Sequence, residues 1–394
     1  MKILVICQYY FPEPFRVSDI CEELVKRGHQ VTVVTGTPNY PMGEIYEGYE
    51  NGKKKNETIN GVRVHRCFTI GRKGGNVKRF MNYYSYAISS SLHTLFMREK
   101  FDVVFVNQLS PVMMAYAGIV YKKIHHKKLV LYCLDLWPAS LSAGGVKENS
   151  LVYKVFHKIS ANIYRKADSI LITSNMFKDY LHGELSIGNN KIHYLPQYAE
   201  QLFDPSKCAK KPDDWTDLMF AGNIGKVQNV EIILKAAKVL KDKRIRFHIV
   251  GDGTDLDRLK GIKKKHNLSN VIFHGRQPLE KMPDYYSMAD AMLVTMKVDP
   301  VLSLTLPGKV QTYMAAGKPI IGAIGGETMS VLEKAKCGYC GTGDSVKELV
   351  DNIKRFISED NRAQLAAFSR RYYEKCFARD VFMNTLENEM VRNL

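Results

Sequence analysis

The amino-acid sequence predicts an α/β fold made of two doubly wound domains. Three observations carry this prediction: apolar strand-like runs alternate with helical segments, the alternation stops near residue 200 and begins again, and the chain has 394 residues. That length exceeds what a single hydrophobic core ordinarily spans. Strands that are apolar throughout are typical of parallel sheets with helices on both faces.

In the first half, five apolar runs have the character of buried parallel strands. They are ILVIC (3–7), VTVVT (31–35), VVFV (103–106), LVLYC (129–133) and SILIT (169–173). Between the first two, Val17, Ile20, Cys21 and Leu24 share one face of a predicted helix, which Gly28 ends. Strand, loop, helix and strand in this order form the repeating unit of a doubly wound sheet.

A polar linker that contains Pro196 and Pro205 separates this half from a second set of strands. The second set is DLMFAG (217–222), RFHIVG (246–251), NVIFHG (270–275), AMLVT (291–295) and KPIIGA (318–323). We place the boundary after residue 200 and the end of the second domain at residue 375. Ligands of open α/β sheets lie beyond the carboxyl ends of the strands, so we expect the site in a cleft between the domains.

Charge and composition restrict the class of protein. The formal net charge of +17 favours an anionic partner: a nucleotide, nucleic acid or an acidic membrane. The eight cysteines are scattered, which indicates reduced thiols and a cytoplasmic location rather than a disulfide framework. No apolar run approaches the roughly 20 residues of a membrane span, and the run after Lys2 is too short for a signal peptide.

The segment SLTLPGK predicts an anion site at the start of a helix. Leu306, Pro307 and Gly308 break an apolar stretch, and Lys309 follows where a helix begins. Free N–H groups and the positive end of the helix dipole favour a phosphate at such a position. Lys309 would add charge-assisted bonds to a departing diphosphate. The alternative is that Pro307 merely begins a helix and Lys309 is solvated.

Two glycine loops could converge on the same anion. In FAGNIGK, Gly222 and Gly225 flank Asn223, and Lys226 follows; in the next loop Gly251 ends a strand. Neither loop completes G-x-G-x-x-G, which argues against an NAD or FAD fingerprint, and G-x-x-x-x-G-K-[ST] is absent. The sequence also lacks H-E-x-x-H and metal-spaced carboxylates and histidines, so we predict no metal site.

Motifs over nearly the whole chain resemble one known family. They are FPEPFRVSDICEELVKRGHQVTVVT, LYCLDLWPASLSAGG, IYRKADSILITSNMFKDYL, FAGNIGKVQN, IVGDGTDLDRLK, VIFHGRQPLEKMPDYYSMADAMLV and YMAAGKPIIG. In this order they resemble the retaining glycosyltransferases of family four, which have the GT-B fold of two Rossmann-like domains. DLWP and GNIGK are most similar to the branch that builds capsule, O-antigen and exopolysaccharide chains.

The resemblance implies that a sugar moves from a nucleotide-sugar, with UDP favoured, to an acceptor hydroxyl with retained configuration and usually no metal or other cofactor. The domain over 201–375 would bind the nucleotide-sugar and the domain over 1–200 the acceptor. A last helix over 376–394 would cross back to the first domain. Retention without an obvious nucleophile suits a front-face substitution in which the leaving diphosphate takes the acceptor proton.

The resemblance also assigns residues. On the donor side it implies diphosphate contacts from Gly222, Asn223, Lys226 and Lys309, and base recognition at Arg276 and Gln277. Glu327 is our candidate for a contact with the donor sugar, and the alternative is that it caps the following helix. On the acceptor side it implies the loop from Phe11 to Arg16, with Gln108 near the site. Asp135 is our candidate for orienting the acceptor, as is Glu13; the alternative is that Asp135 caps the next helix. The sequence departs from the family pattern where two glutamates are usual: Leu304 and Thr312 stand there. Thr312 could replace a ribose contact only weakly.

The segment from Arg72 to Lys100 predicts a membrane-surface helix. Phe80, Tyr84, Ile88, Leu92 and Leu95 recur at near-helical spacing between basic ends. A lipid-linked oligosaccharide acceptor would require such contact with an anionic membrane, at the inner face of the cell membrane. The alternative is an ordinary helix packed on the first sheet.

The sequence is also compatible with other functions. A nucleotide-sugar epimerase of the same fold would convert the donor without an acceptor. The loss of both family glutamates also permits a catalytically inactive glycosyltransferase-like binding protein. A nucleic-acid partner is not expected, because the sequence has no RNP, zinc-finger or helix-turn-helix signature.

Overall fold

The computed structural model describes residues 1–210, 213–241 and 243–392 and divides into two compact units. The first unit comprises Met1–Leu195 together with the chain from Met383, and the second comprises Pro196–Phe382. The prediction of two doubly wound α/β domains is confirmed. The last two residues of the predicted 376–394 segment lie outside the described residues.

The first unit is built on an eight-stranded sheet of order β3-β4-β2-β1-β5-β6-β7-β8. Its strands are β1 (Lys2–Ile6), β2 (Gln30–Gly36), β3 (Asn56–Ile59), β4 (Val62–Cys67), β5 (Val103–Gln108), β6 (Lys128–Cys133), β7 (Ser169–Ile172) and β8 (Ile192–Tyr194). All neighbours pair in parallel except β3 and β4, which form an antiparallel edge. The central strands β1, β5 and β6 are buried over almost their whole length, which explains their uninterrupted apolar sequence.

Six helices connect these strands: α1 (Val17–Lys26), α2 (Asn76–Leu95), α3 (Tyr116–His125), α4 (Ala139–Ala143), α5 (Leu151–Lys166) and α6 (Met176–Gly183). Short 3₁₀ turns lie at Glu50–Gly52, Val112–Ala115 and Asn189–Lys191. Helix α1 buries the stripe of Val17, Ile20, Cys21 and Leu24 that the sequence predicts. None of the described helices is long and apolar enough to cross a membrane.

The second unit has a six-stranded, fully parallel sheet of order β11-β10-β9-β12-β13-β14. Its strands are β9 (Thr216–Ala221), β10 (Ile245–Val250), β11 (Val271–Gly275), β12 (Ala291–Thr295), β13 (Ile320–Ala323) and β14 (Gly338–Gly341). The strand order reverses between β9 and β12, which is the topological switch point where doubly wound sheets bind ligands.

The helices of this unit are α7 (Pro205–Cys208), α8 (Glu231–Val239), α9 (Leu256–Lys265), α10 (Met282–Tyr286), α11 (Gly308–Ala315), α12 (Gly326–Ala335), α13 (Val346–Ser358) and α14 (Arg362–Cys376). Further 3₁₀ turns lie at Lys226–Gln228, Leu279–Lys281 and Leu302–Leu304. A core of aliphatic and aromatic side chains from α8, α9, α13 and the inner strands covers one face of the sheet.

The final helix, α15 (Arg379–Val391), begins in the second unit and ends in the first. Within the first unit Glu387 pairs with Arg27 at 2.9 Å and with His29 at 2.7 Å. Lys128 Nζ, at the start of β6, donates to the carbonyl oxygen of Glu389 at 2.5 Å. These polar contacts fix the end of the chain to α1 and the first sheet.

Candidate donor site

A cavity of about 610 Å³ lies in the second unit beyond the carboxyl ends of β9 and β10. The sequence-predicted residues on its wall come from the two glycine loops, the end of β11 and helix α11. They are Gly222, Asn223, Gly251, Arg276, Gln277, Lys309 and Thr312. The structure therefore brings together loops that are up to about 90 residues apart in the chain, as expected at a switch point.

Glycine is required where the two loops meet. Gly251 has φ = 139°, and a Cβ there would lie 1.9 Å from the carbonyl oxygen of Gly222. Gly222 has φ = 145°, and its Cβ would lie 3.1 Å from Lys309 Nζ. Gly251 thus permits the close approach of the two loops, and Gly222 leaves the space that the lysine side chain occupies.

Lys309 reaches this point because α11 is fixed to β9. The phenol of Tyr313 donates to the carbonyl oxygen of Ala221 at 2.9 Å and accepts from the Ala221 N–H at the same distance. Pro307 is the N-cap of α11, and Gly308 is its first residue. Lys309 therefore projects from the first turn toward the loop after β9.

The ammonium group of Lys309 is buried without a hydrogen-bond partner in the described part of the chain. Its Nζ lies 3.9 Å from the ring centroid of Phe220, a favourable cation–π position that does not replace a counter-ion. Desolvation by burial lowers the pKa of Lys309 to about 7. A buried ammonium that lacks an acceptor is costly, and an anion in the cavity would remove that cost.

The other predicted donor residues on the cavity wall are less constrained. The side chain of Asn223 is exposed and lies 3.5 Å from Gln228 Oε1, and Arg276 is also exposed. Gln277 Nε2 donates to the carbonyl oxygen of His274 at 2.7 Å, which orients its amide along the cavity edge. Thr312 Oγ1 donates to the Gly308 carbonyl oxygen at 3.1 Å, so its proton is used within the helix.

Several predicted donor residues do not line this cavity: Gly225, Lys226, Leu306, Pro307, Gly308 and Glu327. Lys226 begins a 3₁₀ turn and its side chain is exposed. Leu306 is buried in the core, whereas Pro307 and Gly308 form the start of α11. Glu327 is buried in the first turn of α12.

The cavity also contains residues that sequence reasoning missed: Glu200, Phe203, Asp252, Gly253, Leu279, Met282 and Tyr286. Asp252 and Gly253 belong to GDGTD, the second glycine loop, which the sequence predicted to converge on the anion without singling out these two residues. Glu200 lies in the linker and Tyr286 in a short helix, and no local pattern distinguishes them.

In the first unit, Glu13 holds two loops together. It is buried, and its carboxylate accepts from the N–H groups of Asn39 at 2.8 Å, Tyr40 at 2.7 Å and Tyr10 at 3.2 Å. Burial raises the pKa of Glu13 to about 7 against the opposing effect of these bonds. The geometry gives Glu13 a positioning role in the loop. Nearby, Phe11 is 47% exposed, and Arg16 is half-buried at the start of α1.

Gln108 is the last residue of β5, and Asp135 follows the end of the adjacent strand β6. Gln108 is fully buried, and its amide donates to the carbonyl oxygens of Leu109 at 2.8 Å and Asp135 at 2.9 Å. The Asp135 carboxylate accepts from the Ser110 hydroxyl and from Trp137 Nε1, the latter at 3.2 Å. Burial raises the pKa of Asp135. Gln108 thus supports the loop that presents Asp135.

Helix α2 carries its apolar side chains outward. Phe80, Tyr84, Ile88, Leu92 and Leu95 are between 38% and 59% exposed. The side chains that face the interior of the unit are mostly small or polar: Asn82, Tyr86, Ala87, Ser90 and Thr94. This arrangement reverses that of an ordinary surface helix, whose apolar stripe faces the core.

The described residues contain no group of three or more His, Cys, Asp or Glu side chains placed to hold a metal ion. Cys337 and Cys340 are free thiols, and burial raises the pKa of each to about 12.

Comparison with known proteins identifies the class. Residues 206–372 match the family described as glycosyl transferases group 1, and residues 16–197 match glycosyltransferase family 4. A putative colanic acid biosynthesis glycosyl transferase of Escherichia coli is 24% identical, with 99% of this chain and 100% of the relative covered.

Solved structures agree in fold. Sucrose-phosphate synthase from Thermosynechococcus elongatus has a TM-score of 0.76 at 16% identity, covering 98% of both chains. The Anabaena protein HepE in complex with UDP has a TM-score of 0.72 at 15% identity, covering both chains fully. The protein is a glycosyltransferase with the GT-B fold. It belongs to glycosyltransferase family four, which confirms the resemblance found in the sequence.

Proposed function

We propose that the protein transfers a sugar from a UDP-sugar to a lipid-linked saccharide in the synthesis of a surface polysaccharide, with retained configuration and without a metal. The observation that carries the donor part is the buried ammonium of Lys309, which lies on the wall of the glycine-loop cavity and has no hydrogen-bond partner among the described residues. A nucleotide diphosphate supplies the counter-charge that this group lacks. The relative from E. coli, named for colanic acid biosynthesis, supports the polysaccharide part.

In the proposed reaction the bond between the sugar C1 and the diphosphate oxygen breaks, and the acceptor oxygen forms its bond to C1 on the same face. The acceptor proton moves to the departing diphosphate. Lys309 stabilises the negative charge that grows on the leaving group, where a preorganised cation lowers the barrier most. Asp135 orients the acceptor hydroxyl from the first unit.

Contact with an anionic membrane at the cytoplasmic face completes the proposal. The outward apolar stripe of α2 and the basic residues at its start, Lys78 and Arg79, have the chemistry of a helix that lies in a lipid interface. A lipid-linked acceptor would reach the enzyme from that surface.

The donor proposal is tested by a thermal-shift panel of UDP, GDP, TDP and CMP, with and without EDTA. A ligand at 100 times its Kd stabilises the folded state by about 2.7 kcal/mol. We expect UDP to raise the melting temperature most, by the same amount in EDTA. No shift with any nucleoside diphosphate would contradict the donor site, and a shift abolished by EDTA would contradict metal-free binding. Conversion of a UDP-sugar without acceptor would instead identify an epimerase.

A further inference from the structure

A second cavity, of about 340 Å³, lies in the first unit beside the predicted acceptor residues. Its wall is mainly apolar and comes from α2, α4 and α5 and from the segments that follow β5 and β6. The apolar members are Phe80, Met113, Trp137, Leu141, Val146 and Phe156. The ring centroid of Phe156 lies 5.9 Å from that of Phe80 and 5.5 Å from that of Trp137. The volume is at the lower end for small-molecule sites, which suits one apolar chain better than two.

One side of the cavity connects directly to Asp135. Ser110 and Trp137 line the cavity, and both donate hydrogen bonds to the Asp135 carboxylate. Trp137 Nε1 also donates to Ser110 Oγ at 2.8 Å, so the three side chains form one network. An occupant of the cavity would therefore end at the residue proposed to orient the acceptor.

The cavity also carries a positive charge and lies among exposed apolar residues. Arg79 is part of the wall together with Tyr83, and burial raises the pKa of the Tyr83 phenol against the opposing positive charges of Arg79 and Arg72. Exposed apolar side chains lie on the same two helices that contribute Phe80 and Phe156 to the cavity wall: Val77, Met81, Leu151, Val152 and Val155. The cavity therefore suits an amphiphile that carries a phosphoryl group. The apolar wall would contact its hydrocarbon part, and the arginine would bind its phosphoryl group.

We propose that this cavity binds the apolar chain of the lipid-linked acceptor, a single-chain lipid diphosphate whose charged group lies at Arg79. The inference rests on the proposed function, because it names the lipid class of that acceptor. It places the first carbons of the lipid chain against Phe80, Trp137 and Phe156. The sugar would then emerge next to Asp135.

Trp137 provides a direct measurement. The chain has two tryptophans, and Trp215 is 40% exposed, so Trp215→Phe leaves Trp137 as the only indole. We expect farnesyl diphosphate, used as a soluble single-chain probe, to change the Trp137 emission saturably. Inorganic pyrophosphate should leave it unchanged, and farnesol should bind more weakly. An equal response to pyrophosphate, or none to farnesyl diphosphate, would overturn the proposal.

Matched variants in the Trp215→Phe background separate the parts of the site. Arg79→Ala should weaken farnesyl diphosphate at least about tenfold, whereas its neighbour Lys78→Ala should not. Phe80→Asp should abolish the response, whereas Ile88→Asp, also exposed on α2 but outside the cavity wall, should retain it. Equal responses to farnesyl diphosphate in Phe80→Asp and Ile88→Asp would contradict the assignment. So would a short two-chain phosphatidylglycerol that binds as tightly as farnesyl diphosphate.

The UDP thermal shift is measured on the same Trp215→Phe protein. If UDP raises its melting temperature and farnesyl diphosphate leaves the fluorescence unchanged, the cavity inference fails and the donor proposal stands. If the probe binds and UDP does not, the donor proposal fails instead.

Discussion

At the scale of single residues, Lys309 is the best-supported functional group of the chain. The Pro-Gly-Lys break predicts that a helix begins here with a lysine in its first turn, and in the structure α11 begins at Gly308. The burial of Lys309 beneath Gly222 could not be predicted, because it depends on the approach of two loops and on the tyrosine that fixes α11 to β9. A function that requires an unpaired buried charge should reduce the stability of the free protein.

Lys309→Met should therefore stabilise the fold while removing donor binding. The variant replaces a buried ammonium that has no acceptor with an apolar side chain of similar length. We expect the free energy of unfolding at pH 6 to rise by about 1–3 kcal/mol and the UDP-dependent thermal shift to disappear. Urea denaturation and thermal shift measure the two effects. The exposed Lys226→Met is the control and should change stability by less than about 0.5 kcal/mol. A destabilised variant that still responds to UDP would refute the role.

The lowered pKa of Lys309 predicts proton uptake on UDP binding. In the free folded protein this pKa is about 7, against an ordinary value of 10.5. At pH values between these two pKa values, Lys309 is protonated in the unfolded state but not in the folded state. Lys309 therefore makes the free energy of unfolding rise with pH across this range. UDP stabilises the charged form and restores the proton. Calorimetry at pH 8 in buffers of different ionisation enthalpy should give an uptake approaching one proton, which Lys309→Met should lack. Equal uptake in both proteins would contradict the assignment.

The roles of the other predicted residues stay predictions, because sequence patterns could not specify the contacts that their side chains make. The carboxylate of Glu13 and the amide of Gln108 are groups that can take part in catalysis. In the structure the Glu13 carboxylate accepts hydrogen bonds from three backbone N–H groups, and the Gln108 amide donates to two backbone carbonyl oxygens. Sequence patterns report residue type and spacing, whereas these hydrogen bonds depend on distant loops. The same limit explains why Glu200, which has no motif around it, was missed.

At the scale of elements, the long apolar strands were predictable and the irregular ones were not. All ten predicted strands are present, because uninterrupted burial leaves a clear apolar run. Strand β3 was missed because three of the four residues of NETI are polar or charged, and β4 because basic residues interrupt VRVHRC. Strand β8 was missed because it has only three residues, and β14 because GYCG contains two glycines. The helical spacing in α2 was also correct, but spacing cannot tell whether the apolar stripe faces the core or solvent.

The outward stripe of α2 leads to a prediction about membrane binding. Ile88→Ser and Leu92→Ser each remove an apolar side chain whose full burial contributes about 1.5–3 kcal/mol. We expect each variant to sediment less with vesicles that contain anionic lipid, with little change in unfolding free energy because both residues are more than half exposed. Val239→Ser, equally exposed in the second unit, should bind as the parent does. Equal pelleting of the parent with neutral and anionic vesicles would exclude an electrostatic contribution.

At the scale of the whole molecule, the excess positive charge does not mark a single site. Basic side chains lie near the proposed acceptor residues and also in a cavity far from them. A cavity of about 1020 Å³ at the starts of β6 and β7 is lined by seven lysine and arginine side chains. They are Lys122, Lys123, Lys127, Lys128, Arg165, Lys166 and Arg392. Strand starts and strand ends lie at opposite edges of a parallel sheet, so this basic cavity and Asp135 lie at opposite edges of the first unit. Net charge alone therefore cannot locate the nucleotide.

Hydrogen exchange with UDP decides between the two cavities. Among the described residues the Lys309 ammonium is buried and has no hydrogen-bond acceptor, whereas the Lys128 ammonium in the basic cavity donates to backbone carbonyl oxygens. UDP should therefore bind in the second unit. We expect slowed exchange at residues 222–225, 251–253 and 308–312, and unchanged exchange at 122–128 and 165–169. Lys309→Met should lose the protection, and Lys226→Met should keep it. Protection confined to the first unit would place the nucleotide at the basic cavity and remove the basis for a donor site at the glycine loops.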